Sequence, residues 1–219
     1  MLPDAVLIDL YDTLVWTEWP AFRDLMCRHL SVEPAALMSA LDRTRPARSV
    51  GAFPNAEADM AAVLAELGIV DEKVVRELTD MEASFFSEER VHLYGDSLPV
   101  VRELRGRGAG TALVSNCSHS TRPTVERLGL DGEFDAVILS FEVGAKKPQP
   151  EIYRAALEAL GVQPSAAVFV DDQARYCDGA RALGLDTRLI VRPGADPPEG
   201  FAPDANGHAV IRDLTALLG

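Results

Sequence analysis

The sequence predicts an α/β fold: a doubly wound, Rossmann-like parallel sheet interrupted by an α-helical insert. Three observations carry that expectation. Short β-branched and apolar runs recur along the chain, and segments of helical periodicity alternate with them. Residues 16 to 93, directly after the first run, show helical patterns and no convincing strand. The chain of 219 residues, 47% hydrophobic and 25% charged, is long enough to bury a sizeable core.

The first run, "AVLI" at 5–8, is closed by Asp9, and its unbroken hydrophobicity suits a strand covered on both faces. In the insert, "PAFRDLMCRHL", "EPAALMSALDRT", "AEADMAAVLAELGI" and "EKVVRELTDMEASFF" read as amphipathic helices. Its most loop-like part is "RPARSVGAFPN", residues 45–55. Beyond it come a helix closed by glycine, "LPVVRELRGRG", the strand "GTALVS" at 110–115 and the helix "STRPTVERLGL". The strand "FDAVILS" at 134–140 leads into the loop "SFEVGAKKPQP" and the helix "PEIYRAALEALGV". Strands "AAVFVDD" at 166–172 and "TRLIV" at 187–191 follow, then a long surface loop at 192–207. The expected division is a core of residues 1–15 and 94–219 and a helical unit of residues 16–93.

A formal charge of −13 disfavours nucleic acid and anionic membranes as partners, so an anionic substrate needs a locally positive pocket. The odd count of three cysteines fits reduced thiols, and no apolar run approaches the ~20 residues that span a bilayer. A soluble cytoplasmic protein, monomer or homodimer, is expected. His29, His92, His119 and His208 have no ligand spacing and read as structural.

In open parallel sheets, ligands sit outside the carboxyl ends of the strands. Asp9, Tyr11, Asp12 and Thr13 follow the first strand, and Ser115 and Asn116 end the second. Lys147 lies in the loop after the third, and Asp171 and Asp172 close the fourth. Singly, each has a bland reading as turn former, helix cap or solvated charge. Together, at the ends of four separate strands, they point to one rim. Carboxylates meeting there repel one another unless a cation joins them, and hard oxygen ligands select Mg²⁺. An aspartate of ordinary pKa about 3.9 is ionised at neutral pH and can attack without a base. Mg²⁺ and Lys147 would offset its repulsion from a phosphate, and Ser115 could donate to a phosphoryl oxygen.

The strand-end residues, with "SNCS", "VGAKKPQPEIY" and "VFVDDQARYCDGARALGL", resemble the haloacid dehalogenase superfamily, mostly phosphatases acting through a phospho-aspartyl intermediate. The resemblance covers residues 1–15 and about 94–219, and the helical insert resembles the cap that one branch carries between its first and second motifs. It implies that Asp9 is the nucleophile, that Ser115 and Asn116 bind or orient a small phosphorylated metabolite, and that Lys147 steadies charge. It also implies that Asp171 and Asp172 hold the metal, with Asp9 and the backbone carbonyl of Tyr11. Thr13 joins the substrate-binding set, and Gly51 lies where a specificity loop of the cap would be.

One position departs from the pattern. Family phosphatases read Asp-x-Asp at the first motif, the second Asp being the general acid; here it is Tyr11, a phenol and a poor acid for that task. Tyr11 resembles instead the dehalogenase branch, in which halide leaves without a proton and a cap arginine, here Arg43, Arg45 or Arg48, would hold a 2-haloacid carboxylate. Dehalogenases there carry small uncharged residues, so the paired Asp171 and Asp172 favour the metal-dependent phosphatase. A third expectation is a catalytically weak relative that binds a phosphorylated ligand or a protein.

Overall fold

The computed structural model describes residues 2–87, 90–192 and 207–219. Six strands form one parallel sheet in the order β5-β4-β1-β6-β7-β8. They are β1 (Ala5–Ile8), β4 (Gly110–Ser115), β5 (Ala136–Leu139), β6 (Ala167–Asp171), β7 (Asp186–Ile190) and β8 (Ala209–Ile211). Strand order reverses at β1, which pairs with β4 on one side and β6 on the other. The crevice for a ligand therefore opens where β1 ends.

Alternation along β1 sends Val6 and Ile8 into one core and Ala5 and Leu7 into the other. The first core is covered by α5 (Ser97–Gly106), α6 (Thr121–Arg127) and α7 (Leu130–Glu133), and the second by α9 (Pro150–Leu160) and α10 (Ala174–Ala182). All four residues of β1 are fully buried, as its unbroken hydrophobicity predicted.

Four helices, α1 (Trp19–Leu30), α2 (Pro34–Arg48), α3 (Ala56–Glu66) and α4 (Glu72–Ser87), share a third core around Phe22, Leu37, Leu64 and Leu78. Two differences from expectation concern this stretch. It contains strands: β2 (Val15–Thr17) pairs antiparallel with β3 (Val91–Leu93), and Trp16 stacks on His92 with ring centroids 4.0 Å apart. Three residues are too few for alternation to show in sequence. The stretch 45–55 is not all loop, since α2 runs to Arg48 with Pro46 in its last turn. A proline that late removes a single hydrogen bond and does not stop the helix.

Elsewhere, the helix expected over 120–130 is two, α6 and α7, divided at Gly129 with φ 67°. The expected loop after β5 begins with a short helix, α8 (Ser140–Val143). β8 is an exposed edge strand of three residues with no sequence signal. The expected surface loop at 192–207 lies outside the described residues except for its two ends.

A candidate active site at the carboxyl edge of the sheet

Asp9 leaves β1 with its amide bonded to the Val170 carbonyl of β6 at 3.0 Å, which sets it level with Asp171 on the neighbouring strand. Lys147 reaches between them. Its Nζ lies 2.5 Å from Asp9 Oδ1 and 2.6 Å from Asp171 Oδ2, and all three residues are buried. Burial alone would lower the ammonium's pKa, but the charges of Asp171 and Asp9 outweigh it and hold the lysine protonated. The rings of Tyr176 and Phe169 face the same ammonium at 5.1 and 5.6 Å.

One oxygen from each of Asp9, Asp171 and Asp172 lies within 4.8 Å of the others. One lysine does not compensate three carboxylates. Burial first, then the neighbouring acids, push the Asp9 and Asp172 carboxyls well above the ordinary aspartate range, although Lys147 pulls both down. Hard oxygen donors short of one positive partner fit a divalent cation. Asp171 is itself pinned, its Oδ1 accepting from the Gln173 amide at 2.8 Å.

Asn116 clamps the loop that carries Lys147. Its side-chain nitrogen donates to the Lys147 carbonyl at 2.9 Å, and its oxygen accepts from the Lys147 amide at 2.7 Å. Expected to bind or orient substrate, it directs both side-chain polar atoms to the backbone of Lys147. Ser115 ends β4, two residues beyond the Leu113 that pairs with Ile8, and its buried hydroxyl has no partner among the described residues. The Thr13 hydroxyl is likewise buried and unpartnered among the described residues, while the Thr13 carbonyl accepts from Arg192 Nε at 2.9 Å and Nη2 at 2.6 Å.

The turn after Asp9 is held by Asp12 N to Val15 O at 2.7 Å and by Leu14 and Val15 amides to Leu10 O, none of which uses the Tyr11 carbonyl. Asp12 takes the left-handed region, φ 57°, and its side chain is exposed. Tyr11 packs against the sheet's first core, with its hydroxyl 3.1 Å from Thr121 Oγ1. Burial drives its phenol above the ordinary tyrosine value, so Tyr11 is a poorer acid here than in water. Cys117, just past Asn116, is no reactive thiol, because burial pushes it up to about 12.

Of the three candidate arginines in the helical segment, Arg43 is paired with Glu66 and Arg45 with Asp42 on the exposed surface. Arg48 alone lines a cavity between the helical segment and the loop Ser118–Ser120. Gly51, at φ 65°, brings the same segment onto the core: a Cβ there would stand 2.1 Å from the Phe141 carbonyl oxygen. Sequence reasoning missed Asp59 in the first turn of α3, Glu82 within α4 and Thr121 at the start of α6, which carry no motif. It also missed Gly179, where α10 presses on Pro148 beside the lysine.

The family model for haloacid dehalogenase-like hydrolases matches residues 3–184. The chain is 34% identical over 169 residues to phosphoserine phosphatase of Thermus thermophilus, covering 76% of this chain and 65% of that protein. It is 31% identical over 126 residues to (S)-2-haloacid dehalogenase 1 of a Pseudomonas species, covering 57% of this chain and 56% of that one. The chain thus spans about half to two thirds of the length of these two relatives. In fold it is similar to the crystal structure of 2-haloacid dehalogenase from Pseudomonas syringae, with TM-score 0.72, 24% identity and coverage of 100% of this chain and 97% of the other.

Proposed function

The chain belongs to the haloacid dehalogenase-like hydrolases, and from that premise we propose that it is a Mg²⁺-dependent phosphatase of a small phosphorylated metabolite. The observation that carries this reading is the excess of acid at the strand ends. Asp9, Asp171 and Asp172 crowd together, and among the described residues Lys147 is the one cation in contact with them, through Asp9 and Asp171. A dehalogenase attacking a neutral carbon has no use for that excess, whereas a phosphatase needs a divalent ion at this point.

In this reading Asp9, Asp171 and Asp172 would hold Mg²⁺, and the Tyr11 carbonyl would add a further oxygen. The ion, when bound, neutralises charge on the phosphoryl group and keeps Asp9 ionised. Lys147 fixes Asp9 through Oδ1 and leaves Oδ2 to attack phosphorus. A new O–P bond forms, the ester P–O bond breaks, and the leaving oxygen takes its proton from a single water enclosed with it, whose hydroxide takes up the proton released in the second step. The unpartnered hydroxyls of Ser115 and Thr13 are suited to receive phosphoryl oxygens. Water then attacks the phosphorus of the aspartyl phosphate, releasing inorganic phosphate and restoring the Asp9 carboxylate. The helical segment acts as a cap that excludes bulk water in the first step.

Tyr11 favours a second reading, 2-haloacid dehalogenation, in which Arg48 would hold the substrate carboxylate. A panel of phosphate esters and 2-haloacids, assayed with and without Mg²⁺, separates the two. Phosphate release that requires the metal is the expected result. Halide release independent of metal establishes the second reading instead.

A further inference from the structure

Four strand ends make the site, and the sheet offers a fifth. β7 runs parallel to β6 and stops at Ile190, and Arg192 follows two residues later at the same edge. Expected at the start of a surface loop, Arg192 is instead only 3% exposed. Its guanidinium is divided between two partners. Nε and Nη2 fork onto the Thr13 carbonyl, and Nη1 donates to both oxygens of Asp96, Oδ1 at 2.8 Å and Oδ2 at 2.7 Å. The Tyr94 ring covers its plane, with the centroid 4.2 Å from the guanidinium carbon. Asp96 is fixed in turn, its Oδ2 accepting from the Leu214 amide at 2.6 Å.

This placement does more than fill space. A buried guanidinium is far more costly to desolvate than an apolar side chain of its size, so packing alone would favour the apolar one. What the fork supplies is a pair of donors for a carbonyl that no backbone amide among the described residues serves. Thr13 and Asp96 stand at the core ends of the two connections to the helical segment: Thr13 precedes β2, and Asp96 follows β3. The same two connections meet again at the Leu14 carbonyl, which accepts from the Tyr94 amide at 3.0 Å and from the Ser97 hydroxyl at 2.7 Å. Arg192 thereby ties the turn that begins at Asp9 to β7 and to the start of α5. The Thr13 hydroxyl on that turn is fully buried and unpartnered among the described residues. A free hydroxyl on a turn held this firmly is prepared to meet a ligand oxygen.

We propose that Arg192 is a positioning residue for phosphate binding: it sets the Thr13 turn so that the hydroxyl meets a phosphoryl oxygen. The identity of the ligand rests on the phosphatase reading; the hold of Arg192 on the turn does not. The test is a double-mutant cycle of Arg192→Lys and Thr13→Val in the full chain, read by calorimetric titration of inorganic phosphate in Mg²⁺. Lysine keeps a charge for Asp96 and loses the planar fork, and valine removes a hydroxyl that bonds none of the described residues. Each single variant binds phosphate about tenfold more weakly, and the double variant is no weaker than Thr13→Val alone. An Arg192 that only supports the fold costs the same factor in both backgrounds, and that result overturns the proposal. Hydrogen exchange gives a second readout. In Arg192→Lys the amides of Asp12, Leu14 and Val15, which close the turn, exchange faster while those of β1 and β6 do not. Unchanged exchange at these three amides overturns the proposal whatever the titration gives. Asp96→Asn, which releases the far end of the guanidinium, shows the same pattern where Arg192→Lys does not fold. A native chain that binds no phosphate sinks the phosphatase reading and the ligand with it, and the exchange measurement then decides alone whether Arg192 holds the turn.

Discussion

Asp9 owes its position to its strand and its charge state to its neighbours. β1 ends flush with β6, so two acids arrive side by side, and Lys147 is the group that makes their proximity tolerable. Replacing Asp9 with Asn removes one acid from a crowded set and leaves the Lys147–Asp171 pair. The variant is expected to keep its circular dichroism and its unfolding midpoint while losing turnover. Lys147→Met does the opposite, stranding two buried carboxylates at a cost of about 3–5 kcal/mol. A carboxyl raised above its unfolded value costs stability as pH climbs through that value. The deficit of Lys147→Met is therefore largest at neutral pH and shrinks as the medium is acidified toward about pH 4, which denaturant unfolding at several pH values reads directly. At this scale the sequence was informative wherever a polar residue closed an apolar run, as Asp9, Ser115 and Asp171 do. It was silent on Asp59 and Glu82, because an acid inside an amphipathic helix looks the same whether it faces water or a cavity.

Among the elements, α10 shows how a small residue supports a distant charge. A Cβ at Gly179 would come within 2.7 Å of Pro148 Cβ and 2.8 Å of its carbonyl, so Gly179→Ala must displace the loop that presents Lys147. Although alanine is the better helix former, the variant is expected to lose about 1–3 kcal/mol and to lower kcat. An unchanged crystal position of Pro148 with full activity would refute this. β4 and β5 are joined through Asp135, whose Oδ2 accepts from the Thr111 amide at 2.9 Å and from its hydroxyl at 3.1 Å, with Arg105 alongside. Burial works against the ionised form, but those donors and Arg105 outweigh it, and the carboxyl sits below its ordinary 3.8. A depressed carboxyl stabilises the fold above its unfolded pKa and loses that contribution as pH falls through the folded value. The penalty of Asp135→Asn is thus expected at neutral pH and absent in strong acid. The β2–β3 ribbon and β8, each strand three residues long, were illegible because so few residues display no period. The buried strands β1, β4 and β6 were legible because sheets covered on both faces need continuous apolar runs.

For the molecule as a whole, the alternation of strand and helix predicted the sheet, and the switch of strand order at β1 then gathered residues distant in sequence onto one edge. What the sequence could not convey was the closure of the helical segment against the core, which depends on tertiary contacts such as Gly51 against Phe141 and Asp59 against His119. If the acid cluster holds a divalent ion, the native state alone binds it, and Mg²⁺ at a hundredfold excess over its Kd is expected to add about 2.7 kcal/mol to stability. That gain should vanish in Asp171→Asn, as a thermal melt with and without the ion would reveal. The central claim, that Asp9 attacks phosphorus and not carbon, is tested most directly by a single turnover in water enriched in heavy oxygen, followed by mass analysis of products and protein. The account predicts heavy oxygen in the released phosphate and none in Asp9, since water attacks the phosphorus of the aspartyl phosphate. Heavy oxygen incorporated into the Asp9 carboxylate, as hydrolysis of a carbon ester would leave it, would contradict the account.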